Sequence, residues 1–205
     1  MENNTRERIM EQALALFARS GYSGTSMSEI AAQVGVTKAA LYKHFAGKQE
    51  ILNAILARME RKDTENARQH EMPLSDPARP GADYAGLTAR QICGYTREMF
   101  LYWTQDPFAA NFRRMLTLEQ YRSPEMNRLF QQYLAAGPLE YMTEVLRTGT
   151  TGPEQARRRA LAFYGPVFVL YSMYDDIGNK QNVLEQLDDF LDGFCTVLQT
   201  EGKTE

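Results

Sequence analysis

Between Ser26 and Phe45 the chain fits two helix starts and one helix stop into about twenty residues, which leaves it little choice of local fold. Ser26-Met27-Ser28-Glu29 has the spacing of a capping box, in which Ser26 accepts from the third helical amide and Glu29 reaches back. Ile30, Ala31 and Val34 then supply the buried face of a helix only about two turns long. Gly35 ends it, because the residue after a helix terminus often needs the left-handed conformation that glycine takes without a Cβ clash. Thr37 can cap a further short helix, which runs to about Phe45 before Ala46-Gly47 breaks it.

A longer helix precedes this pair. It is expected to start after Asn4, with Glu7 returning the cap bond, and to bury Ile9, Ala13, Leu16 and Phe17 until Ser20-Gly21 stops it. Three helices in such a short stretch, with a tight turn between the second and third, suggest a helix-turn-helix. Ala31 lies where the second helix crosses the third, and Val34, Val36 and Leu41 fill the wedge between them. Advancing 100° per residue places Thr37, Ala40, Leu41 and His44 on one side of the third helix and Lys38, Ala39, Tyr42 and Lys43 on the other. The second face is short, flat and cationic. Small residues allow close approach to a major groove, and lysines suit phosphates or guanine edges.

The rest of the chain keeps a helical period, and alternating strand patterns are missing, so the fold is expected to be all-α. A long helix should run from Lys48 to about His70, followed by a Pro- and Gly-rich loop over Pro73 to Gly86. Further helices are expected over Thr88 to Thr104, Pro107 to Leu118, Pro124 to Ala136, Pro138 to Arg147, Pro153 to Asp175 and Gln181 to Thr200. Four of these open near a proline, where its missing amide hydrogen costs least. The chain thus divides into a three-helix head, residues 1–47, and a larger helical body, residues 48–205.

Composition excludes several classes. Cys93 and Cys195 lie far apart with no Cys-x-x-Cys, and His44 and His70 are the only histidines, so neither a metal site nor a disulfide framework is implied. Both cysteines fall in apolar helical surroundings, where buried thiols are ordinary. No Ser/His/Asp or Cys/His constellation and no phosphate-cradling glycine loop can be assembled, so neither catalysis nor a bound cofactor is expected. Met1 to Gln12 has no apolar export core, and the most apolar stretch, Ala160 to Tyr174, is too short to cross a bilayer, so a cytoplasmic protein without a membrane partner is expected. The formal charge of −3 argues against a nucleic-acid partner until it is divided. Residues 1–47 hold 5 basic and 4 acidic side chains, the remainder 18 and 22, so the acidity belongs to the body.

Gly21-Tyr22, Thr25-Ser26-Met27, Ile30-Ala31, Gly35-Val36-Thr37-Lys38 and Leu41-Tyr42-Lys43-His44-Phe45 with Lys48 resemble the DNA-binding domain of TetR-family transcriptional regulators. The resemblance implies a homodimeric repressor that binds a double-stranded operator and whose body binds a small-molecule effector. By the family pattern Thr25, Ser26, Thr37, Tyr42, His44 and Lys48 contact phosphates, and Lys38 and Ala39 come nearest the base edges. His44 also faces inward beside Ala40 and Leu41, where a semi-buried structural role competes with a phosphate contact. A helical small-molecule carrier that keeps the helix-turn-helix only as scaffold is the alternative, and the cationic outer face of the third helix argues against it.

In the body, Val183, Leu184, Leu187, Phe190, Leu191, Phe194, Val197 and Leu198 form a wide apolar stripe, and the preceding helix is apolar nearly all round from Leu161 to Tyr174. A helix with no polar face needs cover on every side, so the last two helices are expected to pair with those of a twin. Gly165-Pro166 is expected to break the apolar helix and open space beside its aromatics. Tyr95, Met99, Trp103, Phe130, Tyr133, Phe168 and Tyr171 are the expected lining of a pocket for a lipophilic or aromatic effector.

Overall fold

The computed structural model describes residues 2–73, 84, 86–147, 150, 152–176, 178 and 180–201. Among these it is all-α, with α1 (Glu2–Ser20), α2 (Met27–Val34), α3 (Lys38–His44), α4 (Lys48–Gln69), α5 (Ala89–Gln105), α6 (Pro107–Glu119), α7 (Pro124–Leu134), α8 (Ala136–Val145), α9 (Pro153–Tyr174) and α10 (Lys180–Glu201). The loop expected over Pro73 to Gly86 lies mostly outside the described residues.

Local chemistry sets most of these boundaries. Asp106 accepts from the amides of Phe108 and Ala109, and Pro107 opens α6 without wasting a donor. α1 starts earlier than expected, because Glu7 does not return a cap bond: its carboxylate lies 2.8 Å from Arg58 of α4. α9 runs unbroken through Gly165-Pro166, contrary to the expected break. Pro166 and Ala162, four residues before it, are both exposed, so the carbonyl that loses its amide partner can be hydrated instead.

The chain forms two compact units, residues Met1–Asp63 with Gln105–Phe130, and residues Thr64–Thr104 with Gln131–Glu205. The first holds the three-helix head but is larger than residues 1–47. Ile51, Leu52, Ile55 and Met59 of α4 are fully buried in it, and α6, with Phe112, Met115 and Leu116 buried, lies along α1. Ile9, Leu14, Phe17, Ile30, Leu41 and Phe45 supply the rest of that core. Arg58 closes one edge, with its guanidinium 3.9 Å from the centre of the Phe108 ring and bridges to Glu7 and Glu11.

In the second unit α8 packs on α9 and α9 on α10. Its centre is aromatic: Phe100 of α5 stacks on Tyr171 of α9 at 4.9 Å and 7°, and meets Tyr174 edge-on at 5.9 Å. Phe163 packs against Phe194 at 4.6 Å, and Val183, Leu187 and Leu191 fill the α10 side.

Asp63 is an unfavourable note in the first unit. Its Oδ1 is buried without a hydrogen-bond partner, and burial, with Glu60 adding repulsion, pushes its carboxyl from 3.8 to about 7. The folded state therefore holds a proton that the unfolded chain has released. Stability from this group is complete below about pH 4 and is lost as the pH rises through about 7. Asp63→Asn should remove that loss, raising the melting temperature at pH 8 more than at pH 4. Thermal unfolding followed by circular dichroism at both pH values measures the difference, and an equal shift at both would show that Asp63 does not titrate as described.

Candidate nucleic-acid interface

The turn between α2 and α3 is built as the sequence spacing predicts. The Ser26 amide donates to Glu29 Oε2 at 2.7 Å and the Glu29 amide to Ser26 Oγ at 3.2 Å, which closes the capping box. These bonds hold the Glu29 carboxyl below the usual carboxylate range. Gly35 takes φ +76°, and the amides of Gly35 and Val36 return to the carbonyls of Ala32 and Ala31. Thr37 caps α3 by accepting from the Ala40 amide at 3.1 Å. Ile30, Ala31, Val34 and Leu41 are buried between the two helices.

That packing turns one face of α3 outward. Thr37, Lys38, Ala39, Tyr42 and Lys43 are exposed, Tyr42 by 46%, while His44 is half-buried. A short exposed face with small residues, one phenol and two lysines can enter a major groove closely and meet phosphates from either side.

The first turn of α4 braces this arrangement at both ends. Lys48 Nζ donates to the carbonyls of Tyr22 and Thr25 at 2.5 and 2.7 Å and lies 4.5 Å from the centre of the Tyr22 ring. Tyr22 in turn donates its phenol to Gln49 Oε1 at 2.9 Å. Glu50 accepts from the Ala46 amide at 2.6 Å and pairs with Arg6 at 3.2 Å. Arg6 completes the set by donating to the His44 carbonyl and covering the Phe45 ring at 4.0 Å. Lys48, Gln49 and Glu50 thus hold the chain entering α2 and the chain leaving α3.

A buried carboxylate secures the same entry from another side. Glu119, at the end of α6, is 0% exposed, accepts from Ser23 Oγ at 3.0 Å and pairs with Arg122 at 3.1 Å. Gly21 sits against it at φ +80°, where any Cβ would collide with Glu119 Oε1. Neither Arg6 nor Glu119 carries a local sequence signal for its contact with the head, since His44, Phe45 and Glu50 lie far from Arg6 and Ser23 lies 96 residues from Glu119. Glu50 does carry one, three residues after Gly47 in the position of a returning cap acid.

Two of the residues expected at phosphates are turned inward. Thr25 is 3% exposed and its hydroxyl donates to the Gly21 carbonyl at 2.8 Å. Lys48 spends its ammonium on two carbonyls, and burial lowers its pKa. Both are braces of the Gly21–Thr25 turn. Ser26, Thr37, Lys38, Ala39 and Tyr42 remain on the surface as expected.

The residues expected to line an effector pocket divide among several environments. Trp103 and Tyr133, both buried, lie 6.4 Å apart by ring centres. Tyr171 is stacked on Phe100, and the half-buried Tyr95 meets His70 and Tyr141 at 5.7 and 6.5 Å. Met99 is half-buried on the same helix as Tyr95 and Trp103. Phe130 is buried at the boundary of the first unit. Phe168 does not join the interior: it is 37% exposed, and so are Leu161 at 58% and Val169 at 56% on the same helix. Seven- and eight-residue spacing puts these three on one outward stripe of α9.

Residues 9–55 match the family described as bacterial regulatory proteins, tetR family. The HTH-type transcriptional regulator SrpR of Pseudomonas putida is 41% identical over 70 residues, which are 34% of this chain and 29% of SrpR. Sequence likeness to the curated relatives therefore spans less than a third of SrpR's length, and it lies in a stretch of the size of the head and α4. Over nearly the whole chain the fold is shared with solved structures. One is FadR of Bacillus subtilis in complex with stearoyl-CoA, at TM-score 0.64 and 17% identity over 92% of this chain and 97% of that one. Another is a SmeT–triclosan complex, SmeT being the repressor of a Stenotrophomonas maltophilia multidrug efflux pump, at TM-score 0.65 and 18% identity over 95% and 91%.

The inward and outward residues should separate in experiment. Lys48→Met breaks two charge-assisted bonds to carbonyls and should cost about 1–3 kcal/mol of stability, seen as a lower midpoint in urea. Tyr42→Ala, at an exposed position, should leave that midpoint within about 0.5 kcal/mol while weakening duplex-DNA binding about tenfold, as read by fluorescence anisotropy. A Lys48→Met protein of unchanged stability would contradict the bracing role.

Proposed function

We propose that this chain, which belongs to the tetR family of bacterial regulatory proteins, is a ligand-responsive DNA-binding repressor that works as a homodimer. The observation that carries the reading is the exposed face of α3, capped by Thr37 and flanked by Ser26 of the α2 capping box. Lys38 and Ala39 are assigned to the base edges. Ser26, Thr37, Tyr42 and Lys43 are assigned to phosphates, and the half-buried His44 reaches the backbone only at the rim. Thr25 and Lys48 act on DNA indirectly, by fixing the turn that presents Ser26.

A second copy is supported by the outward stripe of α9, Leu161, Phe168 and Val169, together with Val197 of α10, exposed by 52%. Large apolar side chains concentrated on one pair of helices fit an interface better than a hydrated surface. A two-fold axis there would let two α3 helices address successive major grooves about 34 Å apart.

The effector is assigned to the second unit, to which Trp103, Tyr133, Tyr95, Met99 and Tyr171 all belong and where Trp103, Tyr133 and Tyr171 are buried. FadR binds a fatty acyl-CoA and SmeT binds triclosan, and the aromatic interior of this chain suits a lipophilic molecule of that general kind. Trp103, the single tryptophan of the sequence, makes the assignment measurable.

Selection from a random duplex library should enrich a palindromic site, and Tyr42→Ala with Lys43→Ala should abolish the enrichment. Sedimentation should give a dimer at micromolar concentration, and Leu161→Glu with Val169→Glu should give a folded monomer that binds the selected site at least tenfold more weakly. Titration with stearoyl-CoA or triclosan should change Trp103 fluorescence and release the selected duplex. Absence of any enriched sequence would overturn the reading of α3, and a wild-type monomer would overturn the α9–α10 interface.

A further inference from the structure

Cys93 of α5 and Cys195 of α10 are the only cysteines of the chain, about a hundred residues apart in sequence, and the fold makes Cys195 a neighbour of Cys93. Both are reduced. The two helices are already pinned beside each other, because Arg97, one turn after Cys93, grips Asp188, two turns before Cys195, through Nε–Oδ1 at 2.7 Å and Nη2–Oδ2 at 3.3 Å. One residue position advancing on α5 while the other recedes on α10 is the order of antiparallel neighbours. Neighbouring helices are what a disulfide between Cys93 and Cys195 requires, since its two Cα atoms must lie within about 7 Å.

The two thiols are also unlike each other, as a reacting pair should be. Cys195 is half-exposed, and the amide of Gln199, one turn on, donates to its sulfur at 3.5 Å. Cys93 is buried, 7% exposed, and burial with Cys195 beside it raises its pKa. An oxidant from solution therefore reaches Cys195 first, and Cys93 is the nearest nucleophile to whatever forms there.

We propose that Cys93 and Cys195 form a redox modification site, in which a hydroperoxide converts the pair to an intramolecular disulfide linking α5 to α10. The Cys195 thiolate attacks one peroxide oxygen, the O–O bond breaks, and Cys195 becomes a sulfenic acid as hydroxide, or an alkoxide from an organic peroxide, leaves. The Cys93 sulfur then attacks the sulfenic sulfur, the S–S bond forms, and a second hydroxide departs. With hydrogen peroxide, two thiols lose two protons and two electrons, and the peroxide is reduced to two waters. A dithiol reverses the step by exchange. The cross-link fixes α5, whose Phe100 carries Tyr171, to α10, whose Val197 is exposed, so oxidation acts within the unit assigned to effector and partner.

The full-length reduced chain treated with hydrogen peroxide should lose two hydrogens in intact mass, run as a single chain on a non-reducing denaturing gel, and yield one linked peptide pair containing Cys93 and Cys195. Dithiothreitol should restore both thiols. Cys93→Ser, with Cys93→Ala as a second variant of different polarity, should leave a sulfenic acid on Cys195 that dimedone traps, whereas wild type under the same dose should trap at least fivefold less. Cross-linking of the large loop should also raise the melting temperature of the oxidised chain over the reduced one. The proposal fails if wild type accumulates sulfinic acid on Cys195 with Cys93 unchanged, if the disulfide joins two chains, or if both thiols survive a dose that oxidises free cysteine.

Discussion

One turn of helix, Lys48-Gln49-Glu50, carries the geometry of the whole head. An ammonium, an amide and a carboxylate in succession each find backbone or side-chain groups of residues that precede α2 or follow α3. The residues joined to α4 in this way have only short helices of their own, α2 of 8 residues and α3 of 7. Helices of that length do not persist alone, since nucleation costs more than a few propagation steps return. Their orientation therefore comes from what they are tied to, and Leu41, Phe45 and Ile30 in the core act together with those polar ties.

The choice of charged groups for this work follows from where they sit. Backbone carbonyls at a turn need donors, and a lysine lying across the Tyr22 ring supplies several at once while its stem covers apolar surface. A fully buried carboxylate such as Glu119 persists only with partners, and Ser23 and Arg122 provide them. Glu119 leaves no room for a side chain at Gly21, so steric exclusion and hydrogen bonding act on the same turn. Asp63 shows the converse. Buried and facing the like charge of Glu60, where Glu119 has the cation Arg122, it gives up its charge near neutral pH.

Signals that act within a few residues were legible before any coordinates: the Ser26–Glu29 box, the left-handed Gly35, the Thr37 cap and the apolar stripe of α10. The outward face of α3 followed from them, because one buried leucine fixes the rotation of a helix that short. Contacts between distant residues were not legible. Thr25 and Lys48 looked like phosphate ligands because nothing in the sequence says that a threonine hydroxyl turns to Gly21 or that an ammonium lies 23 residues from the carbonyl it serves. Pro166 also departs from its sequence expectation. Proline both removes a helical hydrogen bond and crowds the carbonyl four residues earlier; exposure of that side of α9 lets water take the orphaned carbonyl, and the packing of Phe163, Val167 and Leu170 holds the helix through the position. Phe168 was placed inside because aromatic residues usually are, yet rotation about α9 puts it with Leu161 and Val169 on the outer side.

The inward turn of Lys48 also changes the electrostatics of the proposed interface. Of the lysines between Gly24 and Lys48, only Lys38 and Lys43 are left facing outward, against Glu29. Glu29 is itself engaged by Ser26, so its charge sits at the start of α2, where the helix dipole favours it and where an incoming phosphate would compete with it. Few cations per head means few counterions released, and each phosphate contact made by an ion pair contributes about 0.9 to the salt slope. Hydroxyls and helix-terminal amides contribute almost nothing to that slope but are strict about distance and direction. In the proposed complex a head of this composition would gain its affinity from fit at Ser26, Thr37 and Tyr42 more than from charge, and fit is what the bracing of the Gly21–Thr25 turn would protect. That is how a chain with formal charge −3 can present the proposed surface to DNA: an interface that relies on rigid placement of uncharged donors does not require the acidic body to be offset by a strongly basic head.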